Sequence, residues 1–265
     1  MSSKPVEILK AMARRIVPEP LKRGLFRSGY ALMSDRQRDE TRRAFQIASI
    51  ESSLRNMRAL GFCPAQIVDV GAYVGGWTKM VKSIFPEAKV LMIEAQTLRE
   101  NDLRQVCAQF QGDVAYRISL LGAESRDRVQ FYELETGSSV MFEQSSIPRS
   151  TAEYPMRPLD SVSREAGFEK VDFLKLDVQG YELEVLKGAH STLQNAQAVL
   201  MEVSLMGVNK GAPLVNEVLQ FMAERNFRVY DICSFIRRPL DNALWQSDLI
   251  FLRADSTLLS NESFN

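Results

Sequence analysis

Histidine is nearly missing from this chain: one of 265 residues, His190, carries an imidazole. That excludes a metal site built on several histidines, and it excludes a Ser or Cys triad unless His190 is its base. His190 stands in "GAHSTL" and reads as a helix-surface residue. Cysteine is scarce too. Cys63, Cys107 and Cys233 are far apart, form no CxxC pair and give no even framework, which points to a reduced, cytoplasmic setting. No apolar run approaches the roughly 18 residues of a spanning helix, and the N-terminus lacks the apolar stretch of a signal peptide. Charge of one sign is not in excess: 33 Lys and Arg stand against 33 Asp and Glu. A chain so balanced is not one that coats nucleic acid by neutralising phosphates. What is present, 45% hydrophobic and 25% charged residues, is globular composition.

Residues 1–30 differ from the rest. Lys4, Lys10, Arg14, Arg15, Lys22, Arg23 and Arg27 face only Glu7 and Glu19, a net of +5 (7 − 2). Ile8, Leu9, Met12 and Ile16 recur at helical spacing beside these bases until Pro18 and Pro20 break the pattern. Two readings stand: a solvated helix docked on the domain, or a basic amphipathic element over residues 4–27 that touches the inner face of a membrane. A second helix is expected from Ser34 or Asp35 to Leu60, stopped by Gly61. Residues 1–60 thus read as a helical extension and 61–255 as the main domain.

From there strands and helices alternate. Strands are expected near 67–71, 89–94, 114–119, 171–177, 198–204, 227–232 and 247–252. Helices are expected near 75–84, 98–110, 181–194 and 213–225. The pattern implies an α/β, Rossmann-like doubly wound sheet of seven strands, mostly parallel. No helix separates the last two strands, so they should pair antiparallel. Residues 121–160 interrupt the alternation with one extra strand in "RVQFYEL" and a long polar loop, the kind of insertion that covers a site.

Two constellations carry chemistry. In "IVDVGAYVGGWTKM", residues 67–80, a buried strand ends in Asp69 and runs into a glycine loop. In open parallel sheets ligands sit at the carboxyl ends of strands. A dinucleotide fingerprint would need glycine at 71, 73 and 76, but position 73 is tyrosine, so an NAD-dependent oxidoreductase is disfavoured. The loop turns at Gly75-Gly76 and is expected to offer free backbone N–H groups to a carboxylate. Glu94 ends the next strand, where an acid can accept both hydroxyls of a ribose. S-adenosyl-L-methionine, with a ribose diol, an ammonium and a carboxylate but no phosphate, suits this set, with Asp69 toward the ammonium.

The second constellation is "VDFLKLDVQGYELEVLKGA", residues 171–189. Its strand carries Lys175 and ends in Asp177, Glu182 opens the next helix, and Glu202 closes the following strand. Carboxylates gathered at one crevice are costly unless cations or protons share them, and that is a functional-site pattern. Asp177 is the expected base or orienting group. Lys175 is either a catalyst or a counter-charge. A rival arrangement holds Mg²⁺ between Asp177 and Glu202.

"IVDVGAYVGGWT", "VLMIEAQ", "TGSSV", "RPLDSV" and "DFLKLDVQGYELEVLKGA" together resemble the FkbM family of S-adenosylmethionine-dependent methyltransferases. The likeness runs over roughly 50–252. It implies O-methylation of a sugar, glycolipid or polyketide-like hydroxyl. It also implies a cofactor pocket formed by Asp69, Gly71, Ala72, Tyr73, Gly75, Glu94, Ala95, Ser119, Leu120 and Ser138. The chain departs from the family's usual residues at Tyr73, at Ala95-Gln96 and at Gln179. A catalytically silent nucleotide-binding or interaction module is the alternative from another class.

Overall fold

The computed structural model describes residues 49–133, 137–141 and 150–260. The basic element over 4–27 and most of the helix expected to begin at Ser34 lie outside these residues. The described chain opens with α1 (Ile50–Ala59), capped by the Ser49 side chain, which accepts from the Ser52 N–H. Gly61, at φ +99°, ends this stretch as expected.

The main sheet uses β1 (Gln66–Val70), β2 (Lys89–Glu94), β3 (Val114–Ile118), β7 (Phe173–Leu176), β8 (Ala198–Ser204), β9 (Phe227–Ile232), β10 (Ile236–Arg237) and β11 (Leu244–Arg253). Its order is β10-β11-β8-β7-β1-β2-β3, with β9 also on β11. The seven expected strands are all there, and the eighth is the two-residue β10, too short to leave a periodic signal. β1, β2, β3, β7 and β8 run parallel, while β11 lies antiparallel to both β8 and β9.

Alternation along the strands separates two cores. Val68, Leu91, Leu174 and Met201 face one way and meet α4 (Leu159–Glu165), α5 (Glu182–Lys187), α6 (His190–Asn195) and α7 (Val215–Ala223) through Leu159, Val185, Leu193 and Val218. Ile67, Met92, Phe173 and Leu200 face the other way, with α1, α2 (Gly76–Ile84) and α3 (Glu100–Ala108) supplying Leu54, Val81 and Leu103. Strands covered on both faces are hydrophobic along most of their length, interrupted here by Asp69, Lys175 and Glu202. Each fully buried Leu, Ile or Phe here contributes about 1.5–3 kcal/mol.

The described residues of 121–160 carry more regular structure than a polar loop, and 134–136 and 142–149 of the expected loop lie outside them. β5 (Arg126–Glu133) pairs antiparallel with β6 (Ser150–Arg157), and β4 (Leu120–Leu121) joins β6 in a second, three-stranded sheet. The extra strand expected in "RVQFYEL" is β5. β6 corrects the loop reading over its own residues, and α4 follows that stretch as a helix the sequence reading did not expect. Pro155 hid β6, yet it is tolerated because the ladder shifts between Arg126 and Val129, next to its position. The expected helix 181–194 is also two helices. At Gly188 a Cβ would stand 2.2 Å from the Gly122 carbonyl oxygen, and that close approach breaks the helix. Asp160 then caps α6, accepting from the N–H groups of Ser191 and Thr192.

Gly71 (φ +72°) marks the tightest approach near the site. A Cβ there would lie 1.9 Å from the Asp177 carbonyl oxygen. Gly71→Ala is therefore expected to destabilise the fold by about 1–3 kcal/mol, the scale of overpacking in a filled interior. Chemical denaturation of the two proteins measures it; equal midpoints would mean that the β1 and β7 loops do not meet this way.

Candidate active site

β1 lies between β2 and β7, in register Val70↔Ile93 and Val70↔Leu176. Glu94 and Asp177 are thereby set on either side of the β1 loop, at one edge of the sheet. A cavity of about 260 Å³ opens at that edge. Ile93, Leu120, Leu121, Phe131 and Val140 form its apolar walls, and Glu94, Ser119, Ser138, Lys175 and Asp177 its polar ones.

Glu94 is buried at 5% exposure, and its two oxygens accept from the N–H groups of Tyr73 (2.7 Å) and Gln96 (3.0 Å). Each oxygen keeps a lone pair for a further donor. Tyr73 sits at φ +50°, a conformation uncommon outside glycine and asparagine, and its ring packs under the Arg99 guanidinium at 4.2 Å. The loop's N–H groups divide. Gly71 and Ala72 donate to the Ile93 carbonyl, Tyr73 to Glu94, and Gly75 to the Ala72 carbonyl, which holds the loop beside β2. Val74, Gly76 and Trp77 line the cavity where the chain enters α2, and the first N–H groups of a helix have no partner within it. Gly75 (φ +72°) is not on the cavity wall; a Cβ there would press on Val106 at 2.8 Å, so its role is helix packing. The Trp77 indole nitrogen is buried without a hydrogen-bond partner, and Trp77 lines the cavity.

Asp69 is 0% exposed and lies behind the wall. Its Oδ2 accepts from Thr78 Oγ1 at 2.8 Å, and its Oδ1 is 3.1 Å from Lys175 Nζ. Lys175 therefore stands between Asp69 and the cavity. Its ammonium donates to the carbonyl of Gly71 (2.9 Å) and lies 3.9 Å from Asp177 Oδ2. Burial works against that charge, but Asp69 and Asp177 outweigh burial and raise the Lys175 pKa above its ordinary value.

The three carboxylates of the second constellation separate by environment. The Asp177 side chain is 43% exposed and lines the cavity. Glu182 and Glu202 do not reach its wall. Glu182 Oε1 accepts from the N–H groups of Val178 (3.0 Å) and Gly180 (3.2 Å), which fixes the loop after β7. Burial pushes its carboxyl up to about 7. Burial also pushes Glu202 up to about 9, with Asp177, Glu182 and Asp248 adding to the shift. Gln179 Nε2 donates to both Asp177 Oδ1 (2.9 Å) and Glu202 Oε1 (3.2 Å), and Gln246 Nε2 donates to Glu202 Oε1 at 2.7 Å. The amide thus occupies the place the rival arrangement gave to Mg²⁺. Among the described residues no group of three or more His, Cys, Asp or Glu side chains is arranged to hold a metal ion.

A carboxyl whose pKa rises on folding binds its proton more tightly in the folded state. Its stabilising effect is complete below the ordinary value near 4.5 and is lost as pH rises toward about 9 for Glu202. Glu202→Gln keeps a neutral side chain at every pH. The melting temperature of the wild type is expected to fall from pH 6 to pH 9, and that of Glu202→Gln to fall less. Parallel melting curves would mean that Glu202 is not held neutral.

Several residues at this edge had no sequence signal. Gln179, Gln246, Trp77 and Phe131 are ordinary residue types in a turn, two strands and the first turn of α2, and only the fold brings them together. Gln179 had one trace, since it stands where the resembling family usually has glutamate.

This edge, with a cavity beside an acid at the end of β2 and a glycine loop after β1, defines a Rossmann-like methyltransferase domain. The methyltransferase FkbM domain model matches residues 69–229, more than half of the chain. The chain belongs to the FkbM methyltransferase family. No curated protein sequence matches it. Among solved structures it is similar to an FkbM methyltransferase from Methylobacillus flagellatus at 17% identity and a TM-score of 0.47, over 71% of this chain and 43% of that one. The chain thus spans less than half the length of that relative. It is also similar to magnesium protoporphyrin IX methyltransferase from Synechocystis with bound S-adenosylmethionine, at 8% identity and a TM-score of 0.44, over 77% and 79% of the two chains. A third is the bifunctional kinase-methyltransferase WbdD, at 14% identity and a TM-score of 0.46, over 77% and 38%.

Proposed function

We propose that the chain is an O-methyltransferase that binds S-adenosylmethionine in this cavity and methylates a hydroxyl on a sugar, glycolipid or polyketide-like small molecule. The cavity suits the cofactor by its donor set. Glu94 offers lone pairs to a diol, the start of α2 at Gly76 and Trp77 stands at the wall for an anionic group, and Ser119, Leu120, Ala95 and Ala72 line the adjoining wall. Asp69 contributes through Lys175 and does not itself reach the cavity. Bound there, S-adenosylmethionine supplies a methyl group activated on a sulfonium.

The observation that carries this reading is Asp177. It is the one residue of the second constellation that is both ionisable, half-exposed and on the cavity wall beside a cation. A sugar hydroxyl is a weak acid, so a carboxylate within hydrogen-bond reach takes up its proton as the oxygen becomes nucleophilic. Lys175 stands beside Asp177 as a counter-charge and is itself held by Asp69. The apolar walls exclude water from the reacting hydroxyl. Mass spectrometry of a labelled methyl group transferred to glycan and glycolipid fractions tests the proposal. Cofactor binding with no transfer to any fraction would favour a silent binding module.

A basic element over residues 4–27 would bring such an enzyme to lipid-linked acceptors; among the described residues no helix is long and apolar enough to cross a membrane. Each base near an anionic surface contributes about 1 kcal/mol, so binding should be weak and salt-sensitive. Sedimentation with phosphatidylglycerol vesicles is expected to decline as salt rises, and to be lost without residues 1–30. Equal sedimentation of the shortened chain would reject this role.

A further inference from the structure

Gln179 occupies a backbone conformation that its residue type disfavours. Its φ is +54°, in the left-handed region, where a side chain costs about 1 kcal/mol or more relative to glycine. Four contacts hold it there. Its carbonyl accepts from Ser139 Oγ (3.0 Å) and Asn209 Nδ2 (2.9 Å), and Glu182 accepts from the N–H groups on either side of it. Gly180, next in the chain at φ +95°, is pressed against Ala212 and completes the turn. A turn built only to connect β7 to α5 would be easier with a second glycine. Strain that the surroundings over-determine is a sign of use.

The turn aims one group. The Gln179 amide has two N–H donors, and they go to carboxyl oxygens of two different residues, Asp177 and Glu202. The nitrogen, not the amide oxygen, lies within reach of both carboxyl oxygens. Around this bridge stand Glu182 from α5, Asp248 and Gln246 from β11, and Lys175 from β7. Only Lys175 is a cation. With the amide engaging Oδ1, the other oxygen of Asp177 is turned to the Lys175 side, toward the cavity.

We propose that Gln179 is a positioning residue that ties Asp177 to buried Glu202 and presents one chosen carboxylate oxygen to the methyl acceptor. Glu202 then acts through the amide and never touches substrate, which assigns the second constellation one reacting carboxylate and one buried anchor. The inference rests on the methyltransferase reading for its catalytic consequence, but the bridge itself does not.

The test uses the whole chain as wild type, Gln179→Gly and Gln179→Leu. Glycine relieves the backbone strain and removes the amide; leucine keeps the bulk and removes the amide. Both variants are expected to bind S-adenosylmethionine within about twofold of wild type, since Gln179 bonds to neither Glu94 nor Trp77. Both are expected to transfer the methyl group about 10- to 100-fold more slowly, the range lost when a base is mispositioned. Gln179→Gly should melt no lower than wild type, which a merely structural role would not combine with lost turnover. The bridge is read without any acceptor from the Gln179 side-chain amide resonances in ¹⁵N-labelled protein. These should shift in both Asp177→Asn and Glu202→Gln. Transfer by Gln179→Gly within twofold of wild type overturns the proposal, as do amide resonances that ignore both substitutions. If no acceptor fraction is methylated by wild type while the resonances shift as expected, the O-methyltransferase reading fails and the bridge stands.

Discussion

Asp177→Asn is expected to leave the affinity for S-adenosylmethionine nearly unchanged and to lower methyl transfer by about a hundredfold or more, the scale of a lost general base. The geometry separates the two effects. Glu94 and Trp77 stand on the β1–β2 side of the cavity, while Asp177 stands on the β7 side and touches Lys175 and Gln179. Asparagine keeps the oxygen that accepts from Gln179 and loses only the charge and the basicity. Isothermal calorimetry gives the first quantity and labelled-methyl transfer the second. Removal of divalent cations by a chelator is expected to change neither, because the Gln179 amide offers donors, not lone pairs, between Asp177 and Glu202. Normal turnover in Asp177→Asn would move the chemistry elsewhere, and turnover abolished by chelator would restore the metal arrangement.

Glu94→Ala is expected to weaken S-adenosylmethionine binding by about 1–3 kcal/mol, the scale of hydrogen bonds to a charged partner. Two losses act together. The diol loses its acceptor, and the N–H groups of Tyr73 and Gln96 lose theirs, so the glycine loop relaxes before any ligand arrives. Glu94→Gln separates them. It keeps the length and one acceptor oxygen but turns an NH₂ group toward a backbone donor, so it should bind between wild type and alanine. Affinity unchanged in both variants would remove the ribose role from Glu94. Tight NAD binding by the wild type, with no response to S-adenosylmethionine, would reject the cofactor altogether.

How far the sequence led differs between fold and site. The strands of the main sheet were legible because parallel strands covered on both faces are continuous apolar runs, as "VLMIE" and "AVLMEV" are. Asp69, Glu94 and Asp177 were legible because each interrupts or ends such a run. β6 was not, because Ser150 and Pro155 mimic a loop and its partner β5 lies 24 residues earlier, counted from Arg126 to Ser150. The division of labour among the carboxyls was not legible either. One residue along a strand or one turn of loop decides whether a side chain lines the cavity like Asp177 or sits behind it like Asp69 and Glu202. Spacing cannot give that. Which N–H groups of the glycine loop are engaged was not legible for a related reason: the partners of Gly71, Ala72 and Tyr73, the Ile93 carbonyl and Glu94, come from a neighbouring strand.

The close approach of Gly71 to the Asp177 carbonyl has a consequence for how such a chain can be altered. The loop after β1 and the loop after β7 are separated by about a hundred residues, yet the absence of one side chain in the first makes room for the backbone of the second. Lys175 then bonds the Gly71 carbonyl from below, so the two loops share a fastening as well as a gap. They behave as a lock and its keyed counterpart, inherited together. A chimera that grafts residues 69–80 from a distant relative onto this chain should fail unless residues 175–182 travel with the graft, whereas exchanges in the three-stranded cover sheet carry no such tie to Gly71.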